Sequence, residues 1–379
     1  MDTEPILCAS AHERGRAFLE RWRGRRPPFW CVLAHTDTCL LPGISSAGLT
    51  EELRPYTPAA DAEVVRLGRP RCLPRLPSNP LGAPGPSGIT RAALCLAQLE
   101  VRFVGAGLRV WPATRVLRAA ERPGRSIEQS GPAVADAREL FASGMQLGRE
   151  AATDGAPYVV IGESVPGGTT TALAVLLALG YAAEGRVSGS MPGNAHLLKS
   201  QVAHAALDTA GMAAGDGRAD PLQAVRLVGD PMQPLAAGMA LGASMAGCDV
   251  LLAGGSQMVA VAALVRALGD DSALERVAIG TTRWVIADPA ADVAGLAREI
   301  DPGLAVLAVN LDFSTSRHVG LHAYERFAVK EGVGAGGACI AALQATGESC
   351  ARLLTVIDEV YDGLLGRLTP SDTADSGSR

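Results

Sequence analysis

Tyr158-Val159-Val160-Ile161-Gly162-Glu163-Ser164-Val165-Pro166-Gly167-Gly168-Thr169-Thr170-Thr171-Ala172-Leu173 decides how the rest of the chain is read. An apolar, largely β-branched run stops at Gly162. A short loop rich in glycine and containing Pro166 follows. Thr169 to Thr171 then open an Ala/Leu-rich segment with good helix propensity. The order is buried strand, tight loop, helix. A loop of this kind turns backbone N–H groups and a helix N-terminus toward one spot, which suits an anion and above all a phosphate. The expectation is that the N–H groups of Gly167 to Thr169 face that phosphate.

The general motif nearest to this loop is G-x-x-x-x-G-K-[ST]. Gly162, Gly167 and Thr169 match it, but Gly168 holds the lysine position. That removes the charge on which nucleoside triphosphate hydrolysis depends, and Glu163 inside the loop adds a repulsive one. A phosphate loop is expected here and an ATPase is not. A glycine turn that only packs a helix on a sheet is the plain structural alternative.

Outward from the loop, the chain alternates. Phe29 to Ala34, Val101 to Val104, Pro157 to Ile161, Val225 to Val228, Asp249 to Ala253, Arg283 to Ala287 and Leu304 to Val309 read as strands. Asp136 to Glu150 and His196 to Leu207 read as helices, and another begins at Thr90. The apolar runs end in polar or glycine turns: Gly229-Asp230, Gly254-Gly255, Asp288-Pro289, Asn310 to Ser314. This predicts an α/β protein: a three-layer α/β/α, doubly wound, mostly parallel sheet with a smaller N-terminal helical extension, and ligands at the carboxyl ends of the strands. The expected division is an Arg-rich helical extension over 1–28, the α/β domain over 29–365 and a disordered tail over 366–379. Residues 68–88, with six prolines and four glycines, cannot be regular helix or central strand and read as a long surface loop.

Composition narrows the function. The chain has 379 residues, enough for a large core, with 48% hydrophobic and only 4% aromatic residues. A net charge of −5 gives no reason to expect nucleic acid as a partner. No apolar run reaches the length of a membrane span, and the N-terminus lacks a basic region followed by a long apolar one, so a cytoplasmic protein is expected. The eight cysteines include no C-x-x-C and are expected to be reduced. His318 and His322 are four apart, but Val319 stands where a zinc protease needs glutamate, so no metal is expected. No G-x-G-x-x-G opens a helix after the first strands, which disfavours a nicotinamide dehydrogenase. A last stretch, Lys330-Glu331-Gly332-Val333-Gly334-Ala335-Gly336-Gly337, sets a carboxylate before a glycine run. From chemistry alone it is equally a ligand site or an ordinary loop.

Several of these stretches together resemble the nicotinate-nucleotide:dimethylbenzimidazole phosphoribosyltransferase family. Gly162-Glu163-Ser164-Val165-Pro166-Gly167-Gly168-Thr169-Thr170 is similar to that family's G-E-M-G-I-G-N-T-T loop, with Gly168 in place of asparagine. Lys330 to Gly336 is similar to its L-G-E-G-T-G-A segment, whose glutamate is the family's catalytic base. Lys199 sits like its phosphate-contacting lysine, and Gly229 and Gly254-Gly255 resemble its G-G-F and D-G-F turns. Ser314-Thr315-Ser316 stands where the family has S-A-E, so one carboxylate is missing. The match to a divergent branch is closer, through Pro42 to Ser45, Tyr56 to Glu63, Ile89 to Leu94, Ala106 to Val110 and Gly185 to Pro192.

The resemblance implies phosphoribosyl transfer from nicotinate mononucleotide to a benzimidazole-like base. The products are an α-ribazole 5′-phosphate and nicotinate, a step in assembling the lower ligand of cobalamin. It implies Glu331 as the catalytic base, and contacts to the substrate's phosphate and ribose from Glu163, Gly167, Gly168, Thr169, Thr170, Lys199, Gly229, Asp230 and Ser314. It implies no cofactor, and a homodimer. The chemistry agrees: a pyridinium nitrogen leaves neutral and needs no acid, while the incoming azole must lose a proton to one base. A non-catalytic nucleotide-binding regulator, or a ribonucleotide phosphorylase or hydrolase on the same scaffold, are the alternatives.

Overall fold

A computed structural model of the chain describes residues 4–74 and 76–366. The strands are β1 (Ile6–Ser10), β2 (Phe29–Ala34), β3 (Val101–Ala106), β4 (Leu117–Ala120), β5 (Tyr158–Ser164), β6 (Asp249–Ala253), β7 (Val277–Thr282) and β8 (Ala305–Val309). They form one sheet in the order β1-β8-β7-β6-β5-β2-β3-β4. Every pairing is parallel except β1 with β8, where Ile6 faces Val309 and Cys8 faces Leu307. The helices are α1 (His12–Trp22), α2 (Thr57–Leu67), α3 (Ser87–Ala97), α4 (Ala137–Thr153), α5 (Gly168–Ala178), α6 (His196–Ala210), α7 (Pro221–Val228), α8 (Met232–Met245), α9 (Ser256–Leu268), α10 (Arg283–Ile286), α11 (Val293–Ile300), α12 (Ala335–Thr346) and α13 (Cys350–Gly366). Helices α4 to α9 and α11 build the core on one face of the sheet; α1 to α3, α12 and α13 build the other.

Strand β5 shows why the sheet is buried on both faces. Val159 and Ile161 enter one core, Tyr158 and Val160 the other. A strand covered on both sides reads as a continuous apolar run, not as an alternation. That run ends where β5 emerges between α5 and α12, and there the polar residues Glu163 and Ser164 begin.

The expected three-layer, mostly parallel architecture is present, with four differences in its parts. Val225 to Val228 is not a strand but the last turn of α7, begun by Asp220, whose side chain accepts the Gln223 N–H, and by Pro221 at the first turn. Arg283 to Ala287 is not a strand either: Arg283–Ile286 is a helical turn, and the strand before it is β7. The short strand β4 was not anticipated. Segment 1–28, expected as a helical extension, also holds β1, whose Ser10 hydroxyl donates to the Leu304 carbonyl at 2.8 Å and accepts the Val306 N–H at 3.0 Å. The tail expected from 366 onward lies, from 367, outside the described residues. Among the described residues no helix is long and apolar enough to cross a membrane.

Candidate active site

The carboxyl ends of β5, β6 and β7 open into a cleft of about 1060 Å³, continuous with solvent. Its floor is the loop Glu163 to Thr169. Its walls are the segment from Ser188 to Met191, the start of α9, the segment from Val329 to Val333 and, across from these, Asp61 and Pro77 to Pro86. The proline-rich connection is therefore a wall of the site. Asn79 secures it by accepting the N–H groups of Leu81 and Ala83 and donating to the Ala328 carbonyl.

At the floor, Gly167 caps α5 with φ 80°, a left-handed conformation that favours glycine. The Gly168 N–H donates to the Val165 carbonyl at 3.1 Å and that of Thr170 to the Gly167 carbonyl at 3.0 Å. Among the described residues, only the N–H groups of Gly167 and Thr169 in this loop remain without a protein acceptor, so the expected three-donor cradle is reduced by one. Lys199, in the first turn of α6, lines the same cleft. Its Nζ and the Thr169 hydroxyl oxygen lie 3.2 and 3.7 Å from the point a side chain on Gly189 would occupy, so they converge on one place. The ammonium donates to the Asn194 carbonyl. Burial, aided by the nearby charge of Lys330, lowers its pKa to about 8.

Glu331 approaches from the opposite wall. Its carboxylate accepts the Gly336 N–H at 3.1 Å and the Thr281 hydroxyl at 3.3 Å, and its carbonyl accepts the Ser190 hydroxyl at 3.0 Å. The glycines after it let α12 rest directly on the strand ends. A Cβ on Gly336 would stand 2.1 Å from the Thr281 carbonyl carbon. Close approach to the sheet, more than room for a ligand, explains the glycine run. Val333 in the same turn has φ 56°, a left-handed conformation that costs a β-branched residue about 1–3 kcal/mol. The Thr90 hydroxyl, bound to its carbonyl at 3.0 Å, holds it there.

Two further carboxyls share the cleft. Burial raises Glu331 to about 7. Glu163 rises to about 8, through burial and then the negative charges of Glu331 and Asp230. Asp61 rises to about 6 by burial, against the hydrogen bond from the Ser164 hydroxyl at 2.8 Å. Glu163 is thus largely neutral at pH 7, and the repulsion expected from it in the sequence is mostly absent. Three carboxyls of raised pKa therefore line one cleft.

Four predicted contacts lie elsewhere. Gly229 and Asp230 follow a helix, not a strand, so they do not reach the cleft. Asp230 is buried, accepts the Thr171 hydroxyl at 2.5 Å and the Met232 N–H at 3.0 Å, and so ties α8 to α5. Thr170 is fully buried beneath the loop. Ser314 is exposed and donates its N–H to Asp312 at 2.8 Å. It follows β8, three strands from β5 and so about 14 Å away at the usual ~4.8 Å spacing. His318 and His322 bond to the carbonyls of Asp358 and Ser316.

Residues 87–281, half of the chain, match a protein family described as phosphoribosyltransferase. The chain belongs to this phosphoribosyltransferase family. Among curated proteins, a UPF0284 protein of Gloeobacter violaceus is 47% identical over 357 residues, 92% of each chain. Another, of Methanothermobacter thermautotrophicus, is 43% identical over 329 residues, covering 86% of this chain and 90% of that one. Among solved structures, a nicotinate-nucleotide-dimethylbenzimidazole phosphoribosyltransferase of Thermus thermophilus superposes with a TM-score of 0.60 at 19% identity, covering 90% of this chain and 91% of that one. The two share a fold, in line with the resemblance carried by the motifs.

The floor loop has Gly168 where a P-loop has lysine, and an ammonium from α6 lines the same cleft. Purified protein is therefore expected to release no inorganic phosphate from ATP and magnesium above background. Turnover that disappears in Thr169→Ala would return the loop to the P-loop class. The sequence reading missed one cluster. The Lys330 ammonium is buried against Asp288 at 2.5 Å and the Asn194 side-chain oxygen at 2.6 Å. The signal was present in the Asp288-Pro289 turn and in a lysine adjoining Glu331, but only the fold brings them together.

Proposed function

We propose that this phosphoribosyltransferase transfers the 5-phosphoribosyl group of nicotinate mononucleotide to a benzimidazole-like base. Glu331 is the catalytic base and Lys199, with the Gly167 to Thr169 loop, is the phosphate site. One observation carries the reading: a half-buried carboxylate in the turn before α12 opens into the same cleft as a buried ammonium and two N–H donors that have no protein acceptor among the described residues. The loop and Lys199 anchor the phosphate away from the reacting carbon. That remote binding energy orients C1′ toward the acceptor. Attack by one azole nitrogen on C1′ breaks the bond to the pyridinium nitrogen, which departs as neutral nicotinate nitrogen with the bonding pair. The other azole nitrogen gives its proton to Glu331. Glu163, protonated near neutrality, is placed to donate to a ribose hydroxyl.

Chromatography of products after incubation with nicotinate mononucleotide and a panel of azole bases tests this. Nicotinate and an α-ribazole 5′-phosphate are expected together. Nicotinate released without added base would instead indicate a hydrolase. No product with any base would leave a binding protein.

Two results should accompany the activity. Lys199→Ala removes a charged hydrogen bond to phosphate and should weaken nucleotide binding by about 1.5–3 kcal/mol in calorimetry. Unchanged affinity would remove Lys199 from the site. The base must be ionised and the ammonium protonated, so kcat/KM should rise with pH through about 7 and fall through about 8. Lys199→Arg, always charged, should keep the lower limb and remove the ammonium's part of the upper one, and adding Glu163→Gln should remove the rest. An upper limb that survives in the double variant would assign it to another group.

A further inference from the structure

Gly168 is one of the loop's departures from the family it resembles, which has asparagine there, and the fold gives it a physical meaning. A Cβ built on Gly168 would stand 1.8 Å from Oε1 of Gln257, 2.4 Å from its Cδ and 3.0 Å from its Nε2. The carboxamide of Gln257 occupies the volume that a side chain at 168 would fill. Gln257 is the second residue of α9 and lines the cleft. Its Oε1 is buried and has no hydrogen-bond partner among the described residues. Ser256 beside it pins the start of α9 to the cleft wall, accepting the Ser188 N–H at 2.6 Å. Next to Ser188 is Gly189, the residue on which Lys199 and Thr169 converge.

An amide carries one acceptor group and two donors, and leaving a buried one of these unpaired destabilises the fold. A glutamine packed against the phosphate floor with its amide oxygen unpaired is disposed as a binding group. We infer that the Gln257 carboxamide hydrogen-bonds the sugar-phosphate seated on the Gly167 to Thr169 loop. It supplies from the neighbouring helix the amide that the resembled loop carries on itself. Either face of the amide can turn toward the ligand, so its NH₂ can donate to phosphate or its oxygen can accept a ribose hydroxyl. The inference rests on the sugar-phosphate site proposed above and adds a specificity-determining contact to it.

The test uses ribose 5-phosphate as ligand, so that it does not depend on transfer. Gln257→Met keeps the length and packing of the side chain and removes its hydrogen bonds. Its affinity by calorimetry should fall about tenfold, the size of one hydrogen bond to a ligand, while its melting temperature stays level or rises because an unpaired polar group has gone. The double variant Gly168→Asn/Gln257→Ala returns an amide to the vacated volume and should bind within about threefold of the parent, in contrast to Gln257→Ala alone. Parental affinity in Gln257→Met, or a lowered melting temperature with unchanged affinity, overturns the inference and leaves the proposed function standing. A parent chain that does not bind ribose 5-phosphate overturns both.

Discussion

Glu331→Gln is expected to fold, to bind nicotinate mononucleotide nearly as well as the parent, and to lose at least about a hundredfold in kcat. The glutamine keeps the size of the side chain, and its oxygen can still accept the Gly336 N–H and the Thr281 hydroxyl. What it cannot do is take a proton. An azole N–H is far less acidic than a carboxylic acid in the free base, but its acidity rises steeply as the other nitrogen bonds to C1′. A carboxylate held near pKa 7 is then a competent acceptor, contributing about 10²–10⁴-fold. Stability should move the other way. A carboxyl whose pKa is raised on folding is most favourable when protonated, and its contribution is lost as pH rises from its unfolded value toward about 7. The variant escapes that loss, so its melting temperature should exceed the parent's at pH 8 and approach it at pH 5. Parental kcat in the variant would move the search for the base to Glu163, its neighbour in the cleft.

Asp288→Ala should be the most damaging single substitution near the site. The Lys330 side chain is 1% exposed and that of Asp288 3%, so neither charge has water to fall back on. Burial alone would push the Asp288 carboxyl up, but Lys330 and the Asn194 amide outweigh it and hold it below the usual carboxylate range. Removing the carboxylate leaves a buried ammonium facing only neutral oxygens, at a cost of about 3–5 kcal/mol. Adding Lys330→Met removes the stranded charge and should recover more than half of that loss, as read from urea midpoints. A single-variant cost below about 1 kcal/mol, or a double variant no better than the single, would show that the pair does not behave as a buried ion pair. Activity should fall as well: Asp288 and Lys330 both bind Asn194, whose carbonyl holds Lys199, and Lys330 adjoins Glu331.

Much of this was legible because each central strand writes its own signal. β2, β5, β6 and β8 are short apolar runs closed by a polar or glycine turn, and a sheet buried on both faces requires such runs. Val225 to Val228 carries the same local signal but lies in a helix. Four apolar residues cannot separate the two periods, and the decisive mark was upstream in Asp220-Pro221. Gly229 and Asp230 entered the expected site through their likeness to the family's G-G-F turn, and the helix before them takes them away from it. Arg283 to Ala287 misled as Val225 to Val228 did, one turn after the true strand β7. The floor loop, Lys199 and Glu331 could be named from motifs. Asp61, Gln257 and Asp288 could not, since their meaning depends on which side chains the fold brings against them.

Strand β1 has a temporal consequence. Among the described residues its only partner in the sheet is β8, and Ile6 meets Val309 across about three hundred residues of chain. At synthesis rates of about 5–20 residues per second, roughly 15–60 s separate the emergence of the two. Through that interval Ile6 to Ser10 has no edge to join, and α1 behind it has no β8 to cover. That side of β7 is covered only once β8 has emerged. A nascent chain stalled before Ala305 keeps both β1 and the flank of β7 unpaired, in the form that recruits other strands.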